Sequence, residues 1–569
     1  MKDSGAITVP LKDVRHAVGR DYEDWKAAMQ AEYETLKEKG AIEEVPAGQV
    51  TGQVIPMKIV ATLKPTDVPG IKKKKIRTVV CGNFVKKHAQ EELYTANADV
   101  TSVRAVLSEA TRNKWGVQVV DVVGAFLNAP LPADSEDIFV EPPRILVQYG
   151  IIQGGYKWRV KHAVYGLRQA PRAWGQERDN QLRKARVSMG NGKYAVLEQS
   201  HVDSTVWLVM EDGGESESKN VNLVHGRKPL RYLVDYVDDF LVAGPRWLRA
   251  IIIKWMEKVW EVQVSESLEI GTWASASYLG GTIQATSKGF RFHQKQFTLD
   301  LLKAWNLEGC KPTLGVGGDL PSETVEEAES RDEPDPREVK LCQKLAGSLI
   351  WLSTRTRPDI AFAQSKISSD ATKNPARGLA MGKRVLRYLA GTAGWGLNFE
   401  GEGSDLTAYG DASFEATKSI SGTCVFFGGH LLAWRSAKQP QVAKSTADAE
   451  VTALSATLGM AENVKALLCS MRVPVELINV MCDNKAAIVL STGEGSWKTK
   501  ALANRVYYVR EAVRLGLVTV NFVATDRQKS DSLSKFLPRN RMLETRRMLA
   551  MEDSEELTES SAGRAASQQ

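Results

Sequence analysis

The sequence predicts an α+β protein built from several domains, and three observations lead to that prediction. The chain has 569 residues, which is enough for three or four domains of ordinary size. Short apolar runs with the spacing of strands alternate with amphipathic segments that have the spacing of helices. An acidic stretch at 315–338 separates two such regions and has the composition of a flexible linker.

The order of elements can be predicted along most of the chain. Residues 21–39 have apolar positions on one helical face and are followed by Gly40, which predicts an amphipathic helix that ends there. The later predicted elements are strands at 76–84 and 117–123, a surface loop at 210–230, a strand–turn–strand unit at 232–244, helices over about 339–395, and a mixture of strands and helices over 405–540.

Composition is that of a globular protein and argues against several classes. The chain is 43% hydrophobic and 25% charged, so it can bury a sizeable core. No run approaches about 18 consecutive apolar residues, and the N-terminus lacks an apolar signal segment, so we expect no membrane span and no secretion. The six cysteines form no CxxC pair, which argues against a disulfide framework or a zinc knuckle and favours a reducing, intracellular setting.

The net charge is +7, but its distribution is uneven. Residues 319–338 contain nine acidic and two basic residues, and the tail from Met551 contains five acidic residues and one basic residue. The rest of the chain therefore carries +18. A polyanionic partner fits this excess, with an affinity that falls as salt rises. A solvated basic surface without a partner is the alternative.

One group of acidic residues lies at the ends of strand-like runs. Asp238 and Asp239 lie in the tetrapeptide YVDD between two apolar runs, and Asp121 closes the apolar run VQVVD. Burying a carboxylate is costly unless it is paired or binds a metal. Carboxylates on two neighbouring strands can hold the two Mg²⁺ ions that phosphoryl transfer on a nucleotide uses. For YVDD alone, a solvated hairpin turn is the alternative.

Six motifs that follow one another along the chain resemble the series found in copia-type reverse transcriptases. They are DVVGAFLNAPL, VYGLRQAPRAW, YVDD, YLGGTI, TRPDIAFA and RVLRYLAGT, and DWKAAMQAE resembles the start of the same domain. The resemblance implies an RNA-directed DNA polymerase with the right-hand arrangement of fingers, palm and thumb. It also implies a catalytic, metal-binding role for Asp121, Asp238 and Asp239, with Asp121 and Asp238 the better candidates for direct ligation.

The same resemblance implies contacts with the nucleotide. Lys75 and Arg77 match the basic strand of the fingers and could hold the triphosphate, although the run Lys72–Lys75 can also be a solvated charge patch. Gln169 is a further expected contact with the incoming nucleotide.

Two more expected contacts concern the sugar and the primer. Phe126 lies five residues after Asp121, where an aromatic residue in reverse transcriptases packs beneath the sugar and would clash with a ribose 2′-hydroxyl. A core phenylalanine is the alternative. Leu279 and Gly280, in YLGG, match a segment that is expected to grip the primer.

A second group of acids is spread over the C-terminal part. Asp411 lies in a strand-like run, Asp483 ends another, Asp531 follows in KSDSLSKFL, and Glu450 comes shortly after Ser445, which resembles a helix start. Each alone is an ordinary turn or surface residue. As an ordered set with CDNKAAI and SISGTCVFFGGHLLAWRSAKQPQVAKSTADAE, they resemble the four-carboxylate site of ribonuclease H over 405–540. The resemblance implies a metal-dependent cut of RNA in RNA–DNA hybrids.

The chain departs from the family pattern at a few positions. Copia relatives usually have a segment like TKHIDIRYHFIRE where this chain has TKALANRVYYVRE, so Ala501, Ala503 and Tyr507 replace two histidines and an aspartate. Val123 and Gly124 stand where relatives often have Lys-Thr. The changes at Ala501, Ala503 and Tyr507 spare the four predicted metal ligands but could weaken nucleic-acid handling or activity, and the change at Val123 and Gly124 is milder.

These resemblances imply a set of cofactors, partners and domains. The cofactor is Mg²⁺, two ions per site, with Mn²⁺ as a possible substitute; the partners are an RNA template, a DNA primer, the RNA–DNA hybrid and dNTPs, without a membrane. The expected location is intracellular, in cytoplasmic retroelement particles or in the nucleus. The predicted division is an N-terminal extension at 1–20, fingers and palm at 21–265, a thumb-like segment at 266–314, the linker at 315–338, a helical connection at 339–400, a ribonuclease H-like domain at 401–540 and a tail at 541–569 that is disordered from about 551.

Two other functions fit the same residues. A catalytically silent nucleic-acid-binding remnant of a truncated element would keep template binding without synthesis, and a chain that has kept only the ribonuclease would cut hybrids alone. No integrase-like core or His-His-Cys-Cys pattern is found upstream. We therefore expect a processed product, a truncated gene or a fragment of a longer reading frame.

Overall fold

The fold is described from a computed structural model of the chain. The structure describes residues 7–65, 72–84, 98–131, 137–212, 229–317, 333–415, 418–493 and 503–553. Within these ranges the chain forms four β-sheets with helices packed against them. None of the helices in these ranges combines the length and the apolar character that crossing a bilayer requires.

The first sheet is formed by the N-terminal part of the chain and has six strands. Five lie in the spatial order Ile7–Val9, Val54–Pro65, Ile138–Glu141, Tyr156–Val160 and Ile42–Pro46, and Lys72–Val80 pairs with Val54–Pro65. The predicted amphipathic helix is confirmed as Gly19–Glu38, which buries Trp25, Met29 and Leu36 against this part of the molecule. The short helices here are Leu11–Arg15, Ala47–Gln49, Gly82–Phe84 and Arg144–Gln148.

The second sheet has seven antiparallel strands and a core on each face. Their spatial order is Val262–Val264, Gly116–Val122, Asp239–Gly244, Arg231–Tyr236, Val206–Glu211, Lys193–Gln199 and Arg186–Gly190. Successive side chains of a strand point to opposite faces, and here they enter two separate cores. The helix Val100–Arg112 packs on one face, and the helices Ala170–Lys184 and Arg246–Val259 pack on the other. The predicted strand–turn–strand unit at 232–244 is confirmed as the central hairpin.

The third sheet is assembled from distant parts of the chain. Its antiparallel strands are Ser275–Tyr278, Gly281–Ala285, Gly289–His293, Trp395–Glu400 and Met551–Asp553. The helices of this region are Lys295–Ala304, Pro336–Ser353, Pro358–Ile360, Ala361–Asp370 and Pro375–Ala390. A buried ion pair joins Arg357 and Asp359 at 2.8 Å, and the Tyr388 hydroxyl donates to the same carboxylate at 2.7 Å. This network fixes Pro375–Ala390 against the TRPD segment.

The fourth sheet has five strands and mixed direction. The antiparallel strands His430–Lys438, Ile420–Phe427 and Leu406–Ser413 are followed by Ile478–Cys482 and Val518–Phe522, which run parallel to Leu406–Ser413. The helices of this part are Thr446–Ser470, Lys485–Thr492, Ala503–Arg514, Thr525–Arg527, Asp531–Ser534 and Arg539–Met548. Parallel neighbours end at the same edge of a sheet, so this topology gathers residues from Leu406–Ser413 and Ile478–Cys482 at one place.

The helix Val100–Arg112 joins the second and fourth sheets. Arg104 donates to the carbonyl oxygen of Leu432 at 2.8 Å, and its guanidinium lies 3.8 Å from the ring centroid of Trp434. Ser108 Oγ is hydrogen-bonded to His430 Nδ1 at 2.7 Å inside the same contact. The helix is therefore buried between two sheets, which explains why ten of its residues are buried.

The predicted fold class is confirmed: an antiparallel sheet of the kind expected for a polymerase palm precedes a mixed five-stranded sheet of the ribonuclease H kind. Three boundaries differ from the expectation. The strand predicted at 76–84 is found as Lys72–Val80 and is followed by the short helix Gly82–Phe84. The helical connection predicted at 339–400 ends in the strand Trp395–Glu400, and the tail predicted as disordered from about 551 begins with the strand Met551–Asp553. The strands Trp395–Glu400 and Met551–Asp553 pair with each other, and this pairing buries the side chains of Trp395, Leu397 and Met551. Most of the predicted linker, and the tail after 553, lie outside the described residues.

Candidate active sites

The first acidic cluster consists of Asp121, Asp238 and Asp239 and lies at one end of the second sheet. Carboxylate oxygens of the three residues all lie within 4.8 Å of one another. Asp121 pairs directly with Asp239 in the strand register, and the hairpin turn adds Asp238. The N–H of Val122 donates to the carbonyl oxygen of Asp238 at 2.9 Å and fixes the turn against the neighbouring strand. The structure thus brings together the three acids that the sequence predicted for one site.

The turn that carries Asp238 has an unusual backbone and is held by a tryptophan. Val237 has a φ of 59°, a left-handed conformation that a β-branched residue rarely adopts. The indole N–H of Trp174 donates to the carbonyl oxygen of Val237, and Trp174 is almost fully buried. Trp174 packs edge-on against Trp260, whose ring stacks on Phe240 of the hairpin. Trp174 lies in the GLRQAPRAW motif, but sequence analysis assigned it no role, because only the fold brings it to the turn.

Asp235 is a third acid of the same hairpin, but it faces the opposite side of the sheet. It pairs with Arg178 at 2.5 Å and accepts a hydrogen bond from the Trp207 indole at 2.9 Å. Burial raises the pKa of Asp235 to about 7, and the charge of Arg178 opposes the shift. Its partners are protein side chains, so Asp235 supports the sheet and does not belong to the first acidic cluster.

Two of the predicted nucleotide contacts meet at Tyr165. The guanidinium of Arg77 lies 5.5 Å from the Tyr165 ring centroid, and the half-buried Phe126 meets the same ring edge-on at 5.6 Å. Burial raises the pKa of Tyr165, and the negative charge of Asp238 adds to the shift. Tyr165 therefore joins Arg77 and Phe126 in one contact. Sequence analysis did not single it out, although it belongs to the motif VYGLRQAPRAW.

The other two predicted nucleotide contacts are arranged differently. Lys75 is exposed and lies two residues before Arg77 on one strand, so both side chains project from the same face. Gln169 immediately precedes the helix Ala170–Lys184. Its buried Oε1 atom has no hydrogen-bond partner among the described residues. A buried amide oxygen of this kind calls for a partner.

The predicted primer contacts lie in a tight turn of the third sheet. Leu279 and Gly280 both have left-handed backbone, with φ of 52° and 71°. A Cβ at Gly280 would lie 2.6 Å from the indole ring of Trp351, so the position accepts no side chain. The Tyr278 hydroxyl donates to the carbonyl oxygen of Val234 at 3.2 Å. This bond ties the turn to the strand that leads into YVDD.

The second acidic cluster consists of Asp411, Glu450, Asp483 and Asp531. Oxygens of the three aspartates lie within 4.8 Å of one another, and Glu450 lies in a second such group with Asp483. Asp411 and Asp483 come from the two parallel neighbours of the fourth sheet. Ser445 caps the helix that carries Glu450, as predicted: its side-chain oxygen accepts a hydrogen bond from the backbone N–H of Asp448. All four predicted acids of this part are thus brought together.

The second acidic cluster is electrostatically crowded. Burial raises the pKa of Glu450 to about 9, and the charges of Asp411 and Asp483 add to the shift. Burial also raises the pKa of Asp411 to about 6, against the opposing charge of Lys535. The Lys535 ammonium lies 3.0 Å from Asp531 and 3.4 Å from Asp411. Lys535 was not predicted, although its position four residues after Asp531 could have suggested it.

Both clusters suit a divalent cation that prefers oxygen ligands. The first acidic cluster offers carboxylates alone, which are the ligands that Mg²⁺ favours. In the second, Glu450 Oε2 is buried and has no hydrogen-bond partner among the described residues. A bound cation would supply that partner and would offset the burial and the repulsion that together raise the pKa values of Glu450 and Asp411.

Two of the departures from the family pattern, Ala503 and Tyr507, lie on one helix of the C-terminal part. Ala501 lies outside the described residues, and Ala503 begins the helix Ala503–Arg514. Tyr507 is exposed on that helix. The neighbouring Arg505 donates to Gln441 at 3.4 Å, across a cavity of about 260 Å³.

Comparison with known proteins gives a consistent set of relatives. The family model for reverse transcriptase (RNA-dependent DNA polymerase) matches residues 44–203. The chain is 29% identical over 448 residues to the retrovirus-related Pol polyprotein from transposon RE1 of Arabidopsis thaliana, covering 77% of this chain and 28% of that protein. It is 27% identical over 529 residues to that from transposon TNT 1-94 of Nicotiana tabacum, covering 90% and 37%. The chain thus spans roughly a third of the length of these relatives.

Among solved structures, the chain is similar to the foamy viral protease–reverse transcriptase. For the complex with an RNA/DNA hybrid, the identity is 13% and the TM-score 0.46, covering 90% of this chain and 54% of that one. For a complex with double-stranded DNA the TM-score is 0.47, with 13% identity, covering 88% and 70%.

Proposed function

We propose that this chain copies RNA into DNA and cleaves RNA in RNA–DNA hybrids. The chain belongs to the copia-type retrotransposon polyproteins with a reverse transcriptase. The observation that carries the proposal is the pair of carboxylate clusters, each built at the end of neighbouring strands in a different sheet. In the proposed division, the first three sheets belong to the polymerase and the fourth to the ribonuclease. An intracellular location, cytoplasmic or nuclear, is part of the same proposal.

In the polymerase, Asp121 and Asp238 would hold the cations, and Asp239 would support them from the buried side. Two Mg²⁺ ions, or Mn²⁺ in their place, would activate the primer 3′-hydroxyl and stabilise the leaving pyrophosphate. The protein's part is to hold the carboxylates in place. The strand register does this for Asp121 and Asp239, and the Trp174 contact does it for the turn that carries Asp238.

The incoming dNTP would lie between the fingers strand and the first acidic cluster. Lys75 and Arg77 would pair with its phosphates, and Arg77 suits a planar, bidentate contact. The buried Oε1 of Gln169, which has no partner in the described ranges of the chain, could accept a hydrogen bond from a nucleotide donor. Leu279 and Gly280 would grip the primer, because the turn that contains them is tied to the strand leading into YVDD.

In the ribonuclease, Asp411, Glu450, Asp483 and Asp531 would hold two further Mg²⁺ ions. These carboxylates would orient the attacking water toward a phosphodiester of the RNA strand. Glu450 has a pKa of about 9 because of burial and its acidic neighbours. It would therefore lose a proton when a cation binds at neutral pH. The 2′-hydroxyl would distinguish the RNA strand from the DNA strand.

The direct test measures both activities on one substrate. A DNA primer annealed to a labelled RNA template is incubated with dNTPs and Mg²⁺, and primer extension and RNA cleavage are followed together. We expect both activities, their loss with a chelator and their return with Mg²⁺. Binding of the hybrid without either activity would favour the silent remnant, which the exposed Tyr507 in place of a family histidine supports. Cleavage without extension would favour the ribonuclease alone.

We predict that Trp174→Phe slows synthesis without unfolding the protein. Phenylalanine keeps an aromatic ring against Trp260 but cannot donate to the carbonyl oxygen of Val237. A lost hydrogen bond of about 1 kcal/mol corresponds to roughly fivefold in rate. Steady-state primer extension should show this loss in kcat with little change in KM for dNTP. An unchanged kcat would contradict a role for Trp174 in holding the turn, and hybrid cleavage serves as the internal control.

We predict that Phe126→Val weakens the preference for deoxynucleotides. If the ring of Phe126 lies beneath the sugar, replacing it with the smaller valine side chain removes the clash with a ribose 2′-hydroxyl. The ratio of kcat/KM for a dNTP to that for the matching rNTP should fall by at least about tenfold. General packing damage would lower both kcat/KM values and leave their ratio unchanged. An unchanged ratio would therefore identify Phe126 as a core residue.

A further inference from the structure

Cys482 lies beside the second acidic cluster and has no part in the proposed cleavage. It ends the strand Ile478–Cys482 and is 1% exposed. Its Sγ lies within 4.8 Å of carboxylate oxygens of Glu450 and Asp483. The polar contacts of the thiol are with the backbone of Asn484, whose N–H lies 3.5 Å and whose carbonyl oxygen 3.8 Å from Sγ.

The same three residues include one carboxylate oxygen that lacks a hydrogen-bond partner within the described part of the chain. Glu450 is 8% exposed, and its Oε2 atom has no hydrogen-bond partner among the described residues. The nearby cation Lys535 forms its ion pairs with Asp411 and Asp531. Glu450 and Cys482 are buried and Asp483 is half-buried, so two carboxylates and a thiol surround one small space that includes the Glu450 Oε2 atom.

The Cys482 sulfur affects which cation the group of Glu450, Cys482 and Asp483 would bind. Mg²⁺ prefers oxygen ligands, whereas a thiolate selects softer ions such as Zn²⁺. Three protein ligands with one position left open are an ordinary coordination set for zinc. Separations within 4.8 Å allow small side-chain rotations to bring all three ligands to zinc bonds of roughly 2.0–2.3 Å. The first acidic cluster contains no cysteine.

We propose that Glu450, Cys482 and Asp483 form a Zn²⁺ site that overlaps the proposed Mg²⁺ site of the ribonuclease. Binding would form one zinc–thiolate and two zinc–carboxylate bonds, and it would release the thiol proton and the proton held by Glu450 to solvent. Zn²⁺ then occupies two carboxylates that the proposed cleavage needs, so it inhibits cleavage of the hybrid and spares DNA synthesis. The inhibitory consequence depends on the proposed function, but the binding site itself does not.

The binding site is tested with Cd²⁺, whose bond to a thiolate gives a charge-transfer absorption in the ultraviolet. The full chain is titrated with Cd²⁺ alone, beside Cys482→Ser, Cys482→Ala and Glu450→Gln. Cys424→Ser is the matched control, because Cys424 is equally buried in the same sheet and lies in no candidate metal group of the described residues. We expect Cys482→Ser and Cys482→Ala to lose one equivalent of the absorption, and Glu450→Gln to weaken it at least about tenfold. Identical titrations for wild type and all four variants would overturn the site.

The inhibition is tested by the Zn²⁺ concentration that halves the rate of hybrid cleavage at fixed Mg²⁺. Each protein is normalised to its own rate without zinc. We expect this concentration to rise at least about tenfold in Cys482→Ser, while the zinc response of primer extension stays the same in both proteins. Equal zinc sensitivity of cleavage in wild type and Cys482→Ser would overturn the proposal. If the wild type cleaves no hybrid, the proposed function fails, and the cadmium titration still decides whether the site exists.

Discussion

Asp238→Asn is expected to abolish DNA synthesis while leaving hybrid cleavage and hybrid binding close to wild type. Asp238 lies at the turn of the central hairpin, within 4.8 Å of Asp121 and Asp239. An amide of the same size keeps the turn but removes the negative charge that would hold the cations. Since metal ions contribute several kcal/mol to such a reaction, we expect primer extension to fall by at least about a thousandfold.

The control for Asp238→Asn is the same change at a surface position of the same sheet. Asp212 follows the strand Val206–Glu211 and pairs with Arg186 at 2.7 Å, away from the first acidic cluster. Asp212→Asn should extend primers at the wild-type rate, because an exposed ion pair contributes little. Normal synthesis by Asp238→Asn would show that the first acidic cluster is not the polymerase site. Loss of hybrid binding together with synthesis would point to a structural role.

The sequence was most informative where a pattern is local. Apolar positions on one helical face predicted the helix at 21–39, and two apolar runs on either side of YVDD predicted the hairpin at 232–244; both were confirmed. The apolar run before Asp121 indicated a strand that ends in an acid, and the apolar runs around YVDD indicated a second pair of strands with acids at their turn. Because carboxylates on neighbouring strands can share a metal site, the three acids of the first cluster could be grouped from the sequence. For the second cluster, only the resemblance to ribonuclease H grouped the four acids, because they come from four separate elements.

Features that depend on distant pairing could not be predicted. The strand Met551–Asp553 joins Trp395–Glu400, so two segments more than a hundred residues apart form one edge of the third sheet. A short segment of mixed polarity carries no periodicity that would reveal such a partner. The same holds for Trp174, whose contact with Val237 exists only after the helix and the hairpin have packed together. Sequence motifs identified the segment but not the side chain that acts in it.

The two proposed centres are joined by direct packing, so the effects of variants at one centre on the two activities can be told apart from general damage to the packing. The helix Val100–Arg112 packs on the sheet of the first acidic cluster, and its Arg104 and Ser108 contact the fourth sheet directly. A variant that damages this packing would therefore be expected to lower both activities. A variant that lowers one activity alone must act at its own centre. If one single-residue variant loses only synthesis and another loses only cleavage, the pair is therefore stronger evidence for two separate centres than either loss by itself.

Asp483→Asn is the second half of that comparison, and it is expected to abolish hybrid cleavage while sparing synthesis. Asp483 belongs to both groups of the second acidic cluster, one with Asp411 and Asp531 and one with Glu450. Replacing its carboxylate removes a ligand that both groups share. We expect cleavage to fall by at least about a thousandfold, for the same reason as at the first cluster.

The control for Asp483→Asn lies at the far end of the same sheet. Asp405 is exposed and immediately precedes the strand Leu406–Ser413, whose other end carries Asp411. Asp405→Asn should cleave the hybrid at the wild-type rate, which separates the effect of the site from that of charge. Cleavage by Asp483→Asn at the wild-type rate would remove the second acidic cluster from the proposal. Loss of both activities would instead mean that Asp483 supports the packing between the sheets, since the proposed polymerase site includes no residue of the fourth sheet.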